Sequence, residues 1–453
     1  MIGQWHLQAI AAQIGADVEG QDVAFTSVST DTRTLQPGAL YVALQGERFD
    51  GHEFVAEAIA KGAVAAMVAR PVQAAVPLIW VADTRWGLGR LGALNRARFG
   101  GRVAAVTGSS GKTTVKEMLA AVLRQAGDVL ATRGNLNNDI GVPLTLLELT
   151  ENQQFAVIEL GASAVGEIAY TVALAQPDVA AITNAGGAHL EGFGGIEGVR
   201  RAKGEIYAGL SEQSTAVINQ DDPAFAQWQD IIDGRHTLSF GGESADFYAR
   251  NIRDQDGTIE FELVTPAGQV PVSMAFSGQH NVTNALTAAA MASALGLDLA
   301  QIAAGLASAK PAKGRLNRER TRAGGLLLDD TYNANPASVK AALRVLAAQQ
   351  GLRVALLGDM AELGTDAPQL HSDVGRFAKS LGIERLLACG RFARATAEGF
   401  GLNAEAFELQ ADLIEHIQTL CQPDTVFLVK GSRSARMERV VESLVAVRDD
   451  VKC

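Results

Sequence analysis

Three cysteines in 453 residues are too few and too scattered to build a framework. Cys389, Cys421 and Cys453 show neither metal-ligand nor redox spacing, which excludes a disulfide scaffold and predicts reduced thiols. Positive charge is also short. Lys and Arg number 39 against 50 Asp and Glu, a formal net charge of −11 and the wrong sign for gripping a nucleic-acid backbone. A single local pocket of positive potential would still be enough for a nucleotide. Met1 to Gly20 carries Asp17 and Glu19 with no basic stretch ahead of an apolar block, so neither a signal peptide nor membrane insertion is expected. The expected location is the cytoplasm. No G-x-G-x-x-G turn supports a nicotinamide cofactor, and there is no solenoid repeat, low-complexity tract or long charge run. What is present, 47% hydrophobic and 20% charged residues, suits a well-packed α/β protein of about three domains.

The most informative stretch is Val103-Ala104-Ala105-Val106-Thr107-Gly108-Ser109-Ser110-Gly111-Lys112-Thr113-Thr114. An apolar run of strand type feeds a Gly-rich turn, and a helical pattern through Val115, Met118 and Leu119 follows. Backbone N–H groups of such a turn, with the positive end of the helix, form a concavity for phosphate oxygens. Lys112 is placed to reach the terminal phosphates, and a hydroxyl of Thr113 or Thr114 to ligate Mg²⁺. The standard loop has its first glycine five residues before the second; that position is Val106 here, so this is a shortened variant. The variant points away from motor and switch ATPases. The competing interpretation is a Gly-rich strand–helix turn with no ligand.

Three units are expected, with boundaries at 1–98, 99–312 and 313–453. In the first, residues 39–44 and 76–81 read as strands around a helix over 53–61, with a further apolar run at 64–68. In the second, short apolar strands at 155–158, 179–182 and 216–218 alternate with Ala-rich helices, predicting a mostly parallel, buried sheet. From 237 to 275 alternating strands predict an antiparallel appendage, and a helix from Asn281 to Leu295 is expected to close that domain. Residues 311–315 read as a linker. Strands at 326–329, 353–357, 385–388 and 426–429 then predict a Rossmann-like third domain.

Ligands of open α/β sheets gather beyond the carboxyl ends of strands. Glu159 ends one strand and is placed to hold Mg²⁺ near the phosphate loop, or else to cap the next turn. His189, in a Gly-rich segment after the next strand, is a metal ligand, a substrate-orienting group or a structural hydrogen-bonder. Lys203, within a helical pattern, reads locally as a solvated lysine. Asn281 and Asn284 fall one turn apart on one helix face, suited to reading an adenine edge or to serving as an N-cap and a buried amide. The loops beginning at Asp329, Gly358 and Lys430 each follow a strand of the third domain, which implies one cleft at that sheet edge.

Taken in order, these pieces resemble the Mur ligases, ATP-dependent enzymes that add amino acids to the UDP-linked muropeptide precursor of bacterial peptidoglycan. The resemblance runs through Ser29-Thr30-Asp31-Thr32-Arg33, then Gly46-Glu47-Arg48-Phe49-Asp50-Gly51-His52, and then the shortened phosphate loop, which is the form this family uses. It continues through residues 134–143 and the Glu159, His189, Lys203, Asn281, Arg315, Asp330, Gly358 and Lys430 segments, covering essentially the whole chain. The loops 329–336 and 357–364 resemble the branch that adds the dipeptide D-alanyl-D-alanine. The Asp-Asn-Pro-Arg motif of the branch that adds diaminopimelate or lysine is absent. Departures are small: Thr331 where Ser is common, and Ala185-Gly186-Gly187 before Ala188-His189.

The resemblance implies roles that local patterns leave open. Ser29, Thr30, Arg33, Arg48, Asp50 and His52 would hold the UDP-sugar end of UDP-N-acetylmuramoyl-tripeptide in the first domain. Gly108, Ser109, Ser110, Gly111, Lys112, Thr113 and Thr114 would cradle the phosphates of ATP. Thr113, Glu159, His189 and a carbamylated Lys203 would hold Mg²⁺, Asn281 and Asn284 would contact adenine, and Asp330 the ribose. Arg315 would approach the γ-phosphate when the third domain closes about the 311–315 hinge. Lys112, Lys203, His189 and Arg315 are thus the expected catalytic set, and a monomer is expected. No residue stands out as the base for the incoming amine. The competing functions are a hydrolytic ATPase of motor or switch type, a related amide ligase such as a folylpolyglutamate synthetase, and a nucleotide-binding regulatory protein.

Overall fold

The computed structural model describes residues 1–46, 49–187 and 190–445, arranged as three sheets in chain order. The strand with the phosphate loop, Arg102–Thr107, lies within a nine-stranded sheet between Phe155–Glu159 and Val179–Ile182. The apolar runs are continuous because both faces are covered. By the two-residue alternation of a strand, Ala104, Val106, Val157, Val179 and Ala181 face one core, with the helices Lys112–Leu123 and His280–Ala294. Val103, Ala105, Ala156, Ile158, Ala180 and Ile182 face the other. Strands 102–107, 129–131, 155–159, 179–182 and 215–219 are all parallel, as expected.

Two details differ from the sequence expectation. His236–Gly241 is not part of an antiparallel unit; it continues the parallel sheet beside Thr215–Asn219. Only Phe247–Gln255, Thr258–Thr265 and Gly268–Met274 form the antiparallel meander, which extends the same sheet. The Asn281 helix does not close the domain either. A further helix, Leu299–Ser308, follows it, started by a capping box between Asp298 and Gln301 that satisfies the first free N–H groups.

The first sheet has five strands, parallel except for the edge strand Asp17–Glu19. It is fixed to the central unit through the helix Thr84–Arg98. Gly92 of that helix lies so close to Pro143 that a side chain would meet its backbone. Asn95, fully buried, accepts from the Ile2 N–H and donates to the carbonyls of Leu146 and Leu149.

The third sheet has six strands in the order 317–320, 326–330, 425–430, 352–358, 385–389, 404–407. It is parallel apart from the edge strand Asn317–Arg320, which the sequence did not signal. The order departs from the dinucleotide-binding one because the last strand, 425–430, inserts between 326–330 and 352–358. That insertion sets Lys430 directly beside Asp330 at the carboxyl edge. Cys389 and Cys421 are free thiols; Cys453 lies outside the described residues. Among the described residues no helix is long and apolar enough to cross a membrane.

Candidate active site

A cleft of about 1000 Å³ opens between the second and third domains, lined by the phosphate loop on one side and the Asp330 and Lys430 loops on the other. The loop's path depends on its glycines. Gly108 has φ +149° and Gly111 φ +82°, and a Cβ at either would collide, with Thr183 Oγ1 and Asn284 Oδ1 respectively. The loop is braced from the neighbouring strand end. Ser109 N–H donates to the Asn184 carbonyl (2.9 Å), Ser110 N–H to Asn184 Oδ1 (3.2 Å), and the Ser109 hydroxyl to the Gly186 carbonyl (2.7 Å). Thr183 and Asn184 both donate to the Ser110 carbonyl.

Inside this frame Lys112 curls back to donate to the Gly108 carbonyl at 2.7 Å. Burial lowers its pKa, the neighbouring Glu159 opposes that, and Arg315 adds to it. Thr113 donates to Glu159 Oε2 at 2.9 Å, and the other carboxylate oxygen accepts from Asn137 Nδ2 at 2.8 Å. Glu159 is 2% exposed, and its own N–H is held by the Thr132 hydroxyl. The sequence singled out Glu159 but not Asn137 or Thr132 as its partners, although Asn137 stands inside the 134–143 segment. Thr114 lines the cleft.

The third domain reaches the loop by two hydrogen bonds. Arg315 Nη2 donates to Thr113 Oγ1 at 3.0 Å, its guanidinium 4.2 Å from the centre of the Tyr332 ring. Asn335 Nδ2 donates to the Ser110 hydroxyl at 3.1 Å. Asn335, which lies in the 329–336 loop, also caps the helix Pro336–Ala347.

Asp330 and Lys430 form a buried ion pair at 2.6 Å. Burial raises the Asp330 pKa and the lysine opposite opposes that rise, so the Asp330 carboxylate is anchored rather than free. Asn281 donates to the Ser277 carbonyl at 2.8 Å, and Asn284 donates to Asn281 Oδ1 at 2.9 Å. The two amides are thus linked on the cleft wall, with Asn284 Oδ1 facing Gly111. Asp359 serves the fold: it accepts from the backbone N–H groups of Arg391 and Phe392.

Lys203 is 1% exposed, not solvated, and does not line the cleft. Its ammonium position lies 5.4 Å from the centre of the Phe193 ring. Burial, and then the like charge of Lys112, bring its pKa down to about 7. His189 lies outside the described residues, as does Arg48.

The first-domain candidates form two separate clusters. The Ser29 hydroxyl donates to the Asp31 carbonyl, and Arg33 grips Asp31 with two nitrogens while staying largely exposed. The Arg33 contacts hold the Asp31 pKa down to about 2. Thr30 sits between these residues, half-buried. His52 is buried with both ring nitrogens engaged, Nδ1 with Asp50 at 2.6 Å and Nε2 accepting from the Ala69 N–H at 2.9 Å. Asp50 also pairs with Arg70. This geometry leaves Arg33 exposed and Ser29 and Thr30 half-buried, and makes His52 a support of its loop.

Three family descriptions match in sequence order: "Mur ligase family, catalytic domain" over residues 24–94, "Mur ligase middle domain" over 106–292, and "Mur ligase, glutamate ligase domain" over 314–433. The UDP-N-acetylmuramoyl-tripeptide–D-alanyl-D-alanine ligase of Escherichia coli (strain K12) is 48% identical over 437 residues, 95% of this chain and 96% of that protein. A crystal structure of MurF from Acinetobacter baumannii superposes with a TM-score of 0.93 at 43% identity, covering 98% of this chain and 99% of its own. A MurF ligase from Thermotoga maritima, solved in complex with ADP, superposes at 0.83 with 30% identity over 92% of this chain and 96% of its own. By shared sequence over nearly its full length and by shared architecture, the chain belongs to the Mur ligase family.

Proposed function

We propose that this chain is an ATP-dependent amide ligase that joins D-alanyl-D-alanine to UDP-N-acetylmuramoyl-tripeptide, giving the pentapeptide, ADP and phosphate. The observation that carries this is the meeting of two domains on one phosphate loop: Arg315 on Thr113 and Asn335 on Ser110, around Lys112 and Glu159. A ligase must hold two anions and an amine together, and a site divided between domains does so on closure. The division of labour follows the units 1–98, 99–312 and 313–453, for the muropeptide, for ATP and for closure with the amine. The protein would act in the cytoplasm as a monomer.

In the first step a carboxylate oxygen of the tripeptide attacks the γ-phosphorus of ATP, the bond to the β-phosphate oxygen breaks, and ADP leaves with the electron pair. The dipeptide amine then attacks the acyl phosphate carbonyl, loses its proton, and expels phosphate through a tetrahedral intermediate. Lys112 and the loop N–H groups from Gly108 to Thr114 would hold the phosphates, and Arg315 would neutralise charge at the γ-phosphate. Asn281 and Asn284 would meet adenine and Asp330 the ribose. Ser29, Thr30, Arg33, Arg48, Asp50 and His52 remain the proposed muropeptide-binding set, His52 through its loop.

The donor set fits Mg²⁺. Glu159 is a buried carboxylate beside the Thr113 hydroxyl, two hard oxygen donors of the kind Mg²⁺ takes. Thr113 and Glu159 would hold the ion, joined by His189 and by Lys203 once carbamylation turns that amine into an anion. Bound there, Mg²⁺ supplies charge neutralisation for the phosphates.

The test is incubation with ATP, Mg²⁺ and UDP-N-acetylmuramoyl-tripeptide, with and without D-alanyl-D-alanine. Phosphate release that needs both substrates, with a mass gain of one dipeptide, is expected. Phosphate release indifferent to the dipeptide would point to another acceptor or to plain hydrolysis.

A further inference from the structure

The incoming dipeptide carries a carboxylate that takes no part in the chemistry yet must be held for its amine to be aimed. We infer that Arg436 receives this carboxylate, an assignment that rests on the ligase function proposed above. Five lysines and arginines line the cleft: Lys112, Arg315, Lys430, Arg433 and Arg436. Four of them are already committed. Lys112 is bonded to the phosphate loop, Arg315 to Thr113, Lys430 to Asp330, and Arg433 lies 3.4 Å from Glu438. Among the described residues, the Arg436 side chain alone of the five has no hydrogen-bond or ion-pair partner, and it is exposed to the cleft.

Its backbone is held in place for this task. Arg436 has φ +50°, a left-handed conformation uncommon for a residue with a side chain. Gln410 stabilises that turn by donating to the carbonyls of Ala435 and Arg436, both at 3.2 Å. Of the seven non-glycine residues with positive φ among the described residues, three (Leu316, Glu362 and Arg436) line this cleft, and such outliers concentrate at functional sites. Arg436 and Ser434 also border a second hollow of about 260 Å³, so the guanidinium has open space on either side. The Ser434 hydroxyl, 3.1 Å from that of Ser432, offers a second donor to the same carboxylate. A planar guanidinium suits bidentate capture of a carboxylate, and its place on the third domain sets it on the opposite side of the cleft from the phosphate-binding Lys112 of the second.

The test compares D-alanyl-D-alanine with its C-terminal amide, which keeps the nucleophile and lacks the carboxylate. For Arg436→Gln and Arg436→Ala, KM for the dipeptide is expected to rise roughly ten- to a hundredfold. KM for the amide and for ATP should stay at the wild-type values, and Arg436→Lys should recover part of the loss. Two variants of different size guard against a folding defect, which would also shift KM for ATP. Equal effects on dipeptide and amide, or none on either, would overturn the assignment. A wild-type protein that joins no dipeptide at all would instead remove the ligase function beneath it.

Discussion

The side-chain amide of Asn335 spans two domains: its oxygen accepts from the Ser338 N–H at 2.8 Å while its nitrogen donates to the Ser110 hydroxyl at 3.1 Å. One half of the group starts a helix of the third domain, and the other half touches the phosphate loop of the second, 225 residues away in sequence. The two halves are separable by substitution. Asp caps a helix as well as Asn does but cannot donate.

Asn335→Asp should therefore keep the wild-type stability and still raise KM for ATP, because it loses the contact and adds a negative charge beside the phosphate site. Asn335→Ala should raise KM for ATP as well and cost about 1 kcal/mol of stability through the lost cap. Steady-state kinetics and urea unfolding read the two effects independently. In a double-mutant cycle, Ser110→Ala and Asn335→Asp should couple; strictly additive effects would show that the contact contributes nothing.

Gly111 offers a second check on the loop. Its φ is +82°, and a Cβ there would strike the Asn284 amide, which is itself bonded to Asn281. Gly111→Ala must either strain the turn or push the amide pair off the cleft wall, at a cost of about 1–3 kcal/mol. The expected result is loss of the thermal stabilisation that saturating ADP gives the wild type. Gly134→Ala is the control, since it also has positive φ but nothing within reach of an added Cβ.

The loop was legible in the sequence because its shape is dictated locally: two glycines where no side chain fits, then a lysine and threonines opening a helix. The buried strands were legible for the same reason, as apolar runs too short for helices. What lay beyond reach depends on distant partners. Nothing near Lys430 says that its strand inserts between 326–330 and 352–358, yet that insertion makes the Asp330–Lys430 pair. Lys203 read as solvated because a single helical turn does not report what packs over it. His52 looked available because its partners, Asp50 and the Ala69 N–H, become visible only once the loop is folded.

The junction of the first two domains gives a stability prediction. Asn95 is fully buried and makes three hydrogen bonds, to Ile2, Leu146 and Leu149. Asn95→Ala leaves the Ile2 N–H and the Leu149 carbonyl without their partner in a site closed to water, while the Leu146 carbonyl keeps the Leu149 N–H. The cost should be about 3 kcal/mol in urea unfolding, with KM for ATP unchanged. A loss below about 0.5 kcal/mol would mean that water enters to replace the amide.

Lys203 gives a prediction with a sign. Only a neutral amine can attack carbon dioxide, and an ordinary lysine with pKa near 10.4 is almost wholly protonated at pH 8. Burial brings Lys203 down to about 7, so it is charged below that pH and increasingly neutral above it. Carbamate formation from ¹³C-labelled bicarbonate, followed by NMR, should therefore rise between pH 6 and pH 8 and be absent from Lys203→Ala. The same variant should be nearly inactive, with partial recovery on adding short carboxylic acids that restore an anion to the site. A labelled signal that persists in Lys203→Ala would place the carbamate elsewhere. Wild-type activity in that variant would remove Lys203 from the proposed metal-binding set.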